Sequence, residues 1–172
     1  KAGAKIKGAG TDTITITGVK KLSKGNIYTI PDRIEAGTYI IAGALVGDHL
    51  VIDKIEPKHL ESLLTTLKNM NVDYILEENS IIISKQTNLK PVNIASQVYP
   101  GFVTDLGQTM QTLLTQARGI STFTETIYET RMGHIEYLNK MGANIANTSN
   151  KAFITGPTPL KGCEVTASDL RA

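Results

Sequence analysis

The feature that most constrains this chain is an internal repeat. The segment Leu67-Lys68-Asn69-Met70-Asn71 returns 71 positions later as Leu138-Asn139-Lys140-Met141-Gly142. In both copies apolar residues end a helical pattern, and the next residue is Asn or Gly. These two residue types tolerate the left-handed conformation that closes helices. The same offset carries Leu89-Lys90 onto Leu160-Lys161. Between the anchors each copy holds two β-prone runs around a turn: 73–77, Asn79 and 80–84 in the first, 144–147, Ser149-Asn150 and 152–155 in the second. Asn-rich turns between such runs predict hairpins. A supersecondary unit that recurs at a fixed period covers its apolar face with its neighbour.

The helices that open the units match as well. In Thr104-Asp105-Leu106-Gly107-Gln108, Asp105 is expected at or next to a helix N-cap, with its carboxylate fixed by free backbone N–H groups. Leu106, Met110, Leu113, Leu114 and Ala117 then form one apolar stripe of a 3.6-residue period. Ile34, Thr38, Ile41, Ala42 and Leu45 repeat that spacing after Asp32, and a third opening begins at Ser168-Asp169-Leu170-Arg171. The run 13–17 with Gly18 and Leu22 resembles 152–155 with Gly156 and Leu160.

These matches divide the chain into the tail of a preceding repeat (1–22), two complete repeats (23–104 and 105–168) and the start of a third (169–172). The first complete unit is expected to run helix 33–45, strand 49–54, helix 57–70, hairpin 73–84 and closing strand 91–95. The second runs helix 105–118, strand 120–127, helix 132–141, hairpin 144–155 and closing strand 163–167. Alternation of this kind makes an α/β chain of repeated βαβαββ units in a permuted frame. Helices packed inside with sheets outside suit the stripes, and a plain two-layer α/β sandwich suits them equally. No interior linker is expected, and the natural protein is expected to continue past Ala172.

Composition excludes several classes. The 172 residues suffice for one real core, with 41% hydrophobic and 20% charged residues. A net charge of +2, with scattered lysines, gives no nucleic-acid signature. No apolar run approaches the roughly 20 residues that cross a bilayer, and no signal peptide is visible. Cys163 is the single cysteine, which rules out an internal disulfide and suits a reducing cytoplasm. His49, His59 and His134 lack metal-ligand spacing and are expected at the surface or in local hydrogen bonds.

Chemistry is sought at the unit openings. The chain has four arginines against fourteen lysines, and Arg33 and Arg171 stand beside Asp32 and Asp169. Arg131 follows a strand, and Arg118 ends a helix where a cation suits the dipole. Arginine grips carboxylate and phosphate with a planar fork, and helix N-termini attract anions. If equivalent ends of the repeats converge, acids, arginines and free N–H groups share one face. That face suits an anionic substrate with a hydroxyl to deprotonate; a set of salt bridges and caps at repeat joints fits the same residues. Cys163, expected within the last strand, reads as a packing residue rather than a nucleophile.

Several of these stretches resemble motifs of the UDP-N-acetylglucosamine 1-carboxyvinyltransferase family of enolpyruvyl transferases. They are Gly8-Ala9-Gly10-Thr11-Asp12-Thr13, Pro31-Asp32-Arg33-Ile34-Glu35-Ala36-Gly37-Thr38, Thr104-Asp105-Leu106-Gly107-Gln108, Glu129-Thr130-Arg131-Met132-Gly133-His134 and Asp169-Leu170-Arg171-Ala172. They run in order through essentially the whole chain. The resemblance implies a two-domain enzyme, each domain an inside-out α/β barrel of three related units with helices inside. This chain would then run from the interdomain crossing (1–22) through most of one domain.

The implied reaction moves the enolpyruvyl group of phosphoenolpyruvate to the 3′-hydroxyl of UDP-N-acetylglucosamine and releases phosphate, by addition and elimination. It opens peptidoglycan precursor synthesis in the bacterial cytoplasm. No cofactor or metal is implied, and the partners are the two small substrates and the other domain, with no nucleic acid and no membrane. By the same resemblance Asp105 contacts the 3′-hydroxyl and accepts its proton, and the backbone of Ile127 contacts the UDP part. Arg131, Asp169 and Arg171 line the interdomain cleft, with Arg33 and Asp32 as the pair at the first opening. The family's acid, a cysteine in a mobile Gly-rich loop, belongs to the other domain, and Cys163 does not match it. The lysine and arginine that hold phosphoenolpyruvate are absent too, so the chain alone is expected to be inactive. Two readings compete: a 5-enolpyruvylshikimate-3-phosphate synthase-like enzyme, and a non-enzymatic repeat module whose aspartate and arginine openings share no cleft.

Overall fold

A computed structural model describes residues 2–167; Asp169 and Arg171 lie outside the described residues. The chain forms two compact units that divide between Ile30 and Pro31. In the first, β1 (Lys5–Lys7) pairs antiparallel with β2 (Thr15–Thr17). Gly8 takes φ +76°, and a Cβ there would lie 2.1 Å from the Thr13 carbonyl oxygen, so the turn requires glycine. Residues 18–32 form no helix or strand and are exposed almost throughout, so the chain does contain an interior connector. Its Pro, Gly and Lys residues offer no amphipathic period to bury.

The second unit carries the repeat. Its first half is α1 (Arg33–Val46), β3 (Leu50–Asp53), a 3-10 turn (Pro57–Leu60) leading into α2 (Glu61–Asn69), and the strands β4 (Tyr74–Leu76), β5 (Ser80–Ile83) and β6 (Asn93–Ala95). Its second half is a 3-10 turn (Thr104–Leu106) running into α3 (Gly107–Leu114), β7 (Gly119–Thr124), α4 (His134–Lys140), β8 (Asn144–Thr148) and β9 (Lys151–Gly156). The sheets have the same plan. β3 and β4 flank β5, and β7 and β8 flank β9, all antiparallel.

The repeat extends to single hydrogen bonds. Asn71 and Gly142 both have positive φ, at 66° and 102°. Behind them Val72 N–H donates to the Leu67 carbonyl and Ala143 N–H to that of Leu138, each at 3.0 Å. This is the Schellman closure. Lys90 N–H donates to the Met70 carbonyl and Lys161 N–H to that of Met141. Asn79 and Asn150 carbonyls accept from Ile55 and Glu125.

β6 departs from the expected plan. It does not close the first unit's sheet but runs parallel beside β7, which gives the order β6-β7-β9-β8. The expected strand at 163–167 is not formed. β6 is held as a strand by its pairing with β7. Cys163 is accordingly exposed in an irregular segment, not packed in a strand.

α1 and α3 lie side by side. A Cβ on Gly37 would fall 2.5 Å from Leu106 Cδ1, which shows how closely their openings approach. Their far ends meet around one cavity lined by Ala44, Val46, Thr112 and Gln116, so the helices point the same way. Leu106, Met110, Leu113, Leu114 and Ala117 are all buried, as are Leu60, Leu63, Leu64, Leu67 and Met70 of the helix before the first hairpin. In α1 the buried set is Ala36, Gly37, Ile40, Ile41, Gly43 and Ala44, while Ile34 and Leu45 are only half-buried. An inner helix is covered on more than one side, so a single stripe does not describe it.

Candidate functional site

Both openings lie at one end of the α1–α3 pair, and they are built differently. Asp32 is the N-cap of α1 and accepts from Ile34 N–H at 2.8 Å and Glu35 N–H at 3.2 Å. Arg33 lies 5.1 Å over the Tyr99 ring, in the loop that leads from β6 toward Thr104. At the second opening the N-cap position belongs to Val103, and Asp105 sits inside the 3-10 turn. Asp105 thus stands directly next to Leu106, the N-cap of α3, the second of the two placements expected for it. Its Oδ1 accepts from Arg131 Nη1 at 2.9 Å, and its side chain is 29% exposed. The 3-10 turn ahead of α3 places Asp105 beside the cap position.

Arg131 is held on three sides. Nη1 also donates to Thr104 Oγ1 at 3.2 Å, and the guanidinium lies 4.3 Å over the Tyr128 ring. Arginine favours this combination of planar stacking and a carboxylate partner. Ile127, 38% exposed, follows β7 in the same turn as Tyr128. The structure thus brings Asp105, Arg131, Thr104, Tyr128 and the Ile127 backbone into one neighbourhood. Three elements contribute: the opening of α3, the end of β7 and the approach to α4.

The residue that organises this neighbourhood went unnoticed in the sequence. Glu125 is 1% exposed. Its Oε1 accepts from Ser96 Oγ at 2.5 Å, Ile127 N–H at 2.8 Å and Tyr128 N–H at 3.1 Å, and its Oε2 from Thr104 Oγ1 at 2.7 Å. Burial pushes the Glu125 carboxyl up, but the bonds from Ser96, Thr104, Tyr128 and Ile127 outweigh it and leave it below the ordinary value of 4.5. Strand alternation carries the missed signal. Ser121, Phe123 and Glu125 share the buried face of β7 and its extension, where a charged residue is out of place.

The family model described as EPSP synthase (3-phosphoshikimate 1-carboxyvinyltransferase) matches residues 1–172. The chain belongs to the EPSP synthase family. Among curated members, UDP-N-acetylglucosamine 1-carboxyvinyltransferase 2 of Bacillus subtilis is 52% identical over 99% of this chain and 40% of its own length. The UDP-N-acetylglucosamine 1-carboxyvinyltransferase of Clostridium botulinum is 49% identical over 99% of the chain and 41% of its own length. The chain therefore spans about two fifths of the length of these relatives. Among solved structures, the enolpyruvyl transferase NikO from Streptomyces tendae aligns with a TM-score of 0.87 at 27% identity, over 99% of this chain and 41% of that one. An EPSP synthase from Acinetobacter baumannii aligns at 0.58 with 17% identity, over 94% of this chain and 38% of that one. The inside-out α/β arrangement is the fold of this family.

Among the described residues no group of His, Cys, Asp or Glu side chains could hold a metal ion. No helix among them is long and apolar enough to cross a membrane. His49 is exposed with φ 53°, and His134 opens α4 half-buried.

Proposed function

We propose that this chain is part of a bacterial cytoplasmic enzyme that transfers the enolpyruvyl group of phosphoenolpyruvate to the 3′-hydroxyl of UDP-N-acetylglucosamine. The observation that carries the proposal is the Asp105–Arg131 pair at the opening of α3, partly exposed and held at 2.9 Å. A carboxylate fixed in direction at a rim open to solvent can accept a proton from a bound hydroxyl. Asp105 takes the 3′-hydroxyl proton, the freed oxygen bonds to C2 of phosphoenolpyruvate while C3 takes up a proton, and the adduct then loses a C3 proton and phosphate to restore the C2–C3 double bond. The Ile127 backbone contacts the UDP part. Arg131, Arg33, Asp32, Asp169 and Arg171 line the cleft that holds the anionic substrates. The acid that protonates the enolpyruvyl carbon comes from the other domain of a two-domain enzyme.

Choice of the nucleotide sugar over shikimate phosphate is supported by identities of 47–52% to carboxyvinyltransferases of UDP-N-acetylglucosamine, against 17% to the solved EPSP synthase. The non-enzymatic reading expects the aspartate and arginine openings to share no cleft; the contact of Asp105 with Arg131 supports the enzymatic reading for that pair, while Asp169 lies outside the described residues.

The test is enolpyruvyl transfer by the full-length protein with Asp105 intact and with Asp105→Asn. A loss of about a hundredfold or more in the variant supports the proton acceptor. Unchanged turnover reduces Asp105 to a structural partner of Arg131. A full-length protein inactive on this sugar redirects the reading to shikimate phosphate.

A further inference from the structure

We propose that Glu125 is a positioning residue for the Asp105–Arg131 pair, acting through the Thr104 hydroxyl and the Tyr128 turn. The inference rests on the transferase reading given above. An ionised carboxylate only accepts hydrogen bonds. The Thr104 hydroxyl proton must therefore point at Glu125 Oε2, 2.7 Å away. The Thr104 lone pairs then face Arg131 Nη1 at 3.2 Å, and the same Nη1 reaches Asp105. Oε1 meanwhile takes the N–H groups of Ile127 and Tyr128, which fixes the turn that places the Tyr128 ring under the guanidinium. Two of the supports around Arg131 are thus set by one buried group.

The repeat supplies an internal control. In the first half Ile55 N–H donates to the Asn79 carbonyl at 2.9 Å, as Glu125 N–H does to that of Asn150 at 2.8 Å. Ile55 is 5% exposed. The fold therefore fills this corner with an aliphatic side chain where there is no arginine to hold. A buried carboxylate is costly unless every lone pair is used, and the fold does not require one here. Its presence in the second half alone, beside Asp105 and Arg131, marks a task other than packing.

Glu125→Gln separates the two. The glutamine oxygen must stay on Ser96, Ile127 and Tyr128, because turning the amide would set its N–H₂ against two backbone donors. The amide nitrogen then faces Thr104, whose hydroxyl proton is forced away from Glu125's place and into competition with Arg131. Shape is kept and the polarity at Thr104 is reversed.

The experiment uses the full-length protein as wild type, Glu125→Gln, Thr104→Val and the double variant. Steady-state kinetics are run for both substrates, with the Arg131 guanidinium followed by NMR. Expected are losses of about tenfold or more in kcat/KM for UDP-N-acetylglucosamine in each single variant. The KM for phosphoenolpyruvate stays within about twofold, and the double variant is no worse than the weaker single, as for residues acting as one unit. The Arg131 resonance moves to a common position in all three variants. Losses that multiply, equal KM changes for both substrates, or an Arg131 resonance unmoved by Glu125→Gln would overturn the proposal. A wild type without transfer activity refutes the transferase reading alone; the Arg131 resonance then still decides whether Glu125 positions it.

Discussion

Two carboxylates in one network differ in what surrounds them. Asp105 is partly exposed and pairs with Arg131, whereas Glu125 is closed off with four donors. That difference suits one to exchange protons with a ligand and the other to hold geometry. It also gives Glu125 a signature in stability. Its folded pKa lies below the unfolded one, so its contribution is complete above about pH 4.5 and is lost as pH falls through the folded value. Glu125→Gln is expected to be less stable than wild type near neutrality, with the gap closing in acid. Denaturant midpoints measured from pH 7 down to about 3 check it; a gap that stays constant with pH would show that Glu125 carries no such linkage.

At the scale of elements, the two Schellman closures are the best-matched part of the repeat. Gly142 stands at φ 102° and a Cβ there would meet the Pro159 carbonyl oxygen at 3.3 Å, while Asn71 stands at φ 66°. Gly142→Ala and Asn71→Ala are each expected to lower stability by about 1 kcal/mol, since alanine resists the left-handed region that both residues tolerate. Chemical denaturation of the two variants reads this directly, and a neutral Gly142→Ala would mean that α4 ends differently. The elements that open the units matched less closely. Asp32 caps α1 with its own side chain, while a 3-10 turn precedes α3 and hands Asp105 to Arg131. One sequence pattern, an aspartate ahead of a helix, thus has two structural outcomes. The partner that separates them, Arg131, lies 26 residues away and is invisible to local reading.

At the scale of the molecule, the second unit pairs inner helices with outward sheets. Val51, Ile75 and Ile120 on the sheets are more than half exposed. Under the proposed function, Asp105 is the proton acceptor and Arg131 one of the cationic partners for anions. The same proposal assigns the acid that protonates the enolpyruvyl carbon to the other domain. The 172-residue chain by itself is therefore expected to show no enolpyruvyl transfer, and measurable turnover by the purified chain would contradict the division of labour between two domains.

The repeat, the hairpins, the helix closures at Asn71 and Gly142 and the residues of the opening motifs were determined by sequence alone, because local backbone preferences and apolar periodicity act within a few residues. Tertiary structure decided what those residues do. It moved β6 into the second sheet, left 163–167 without a ladder, surrounded α1 on several sides and set Glu125 beneath Thr104. Each of these depends on a partner distant in the chain: β7 for β6, Leu106 for Gly37, Ser96 and Thr104 for Glu125. A buried charge is tolerated only where such distant donors converge, so its role can be read only once they are in place.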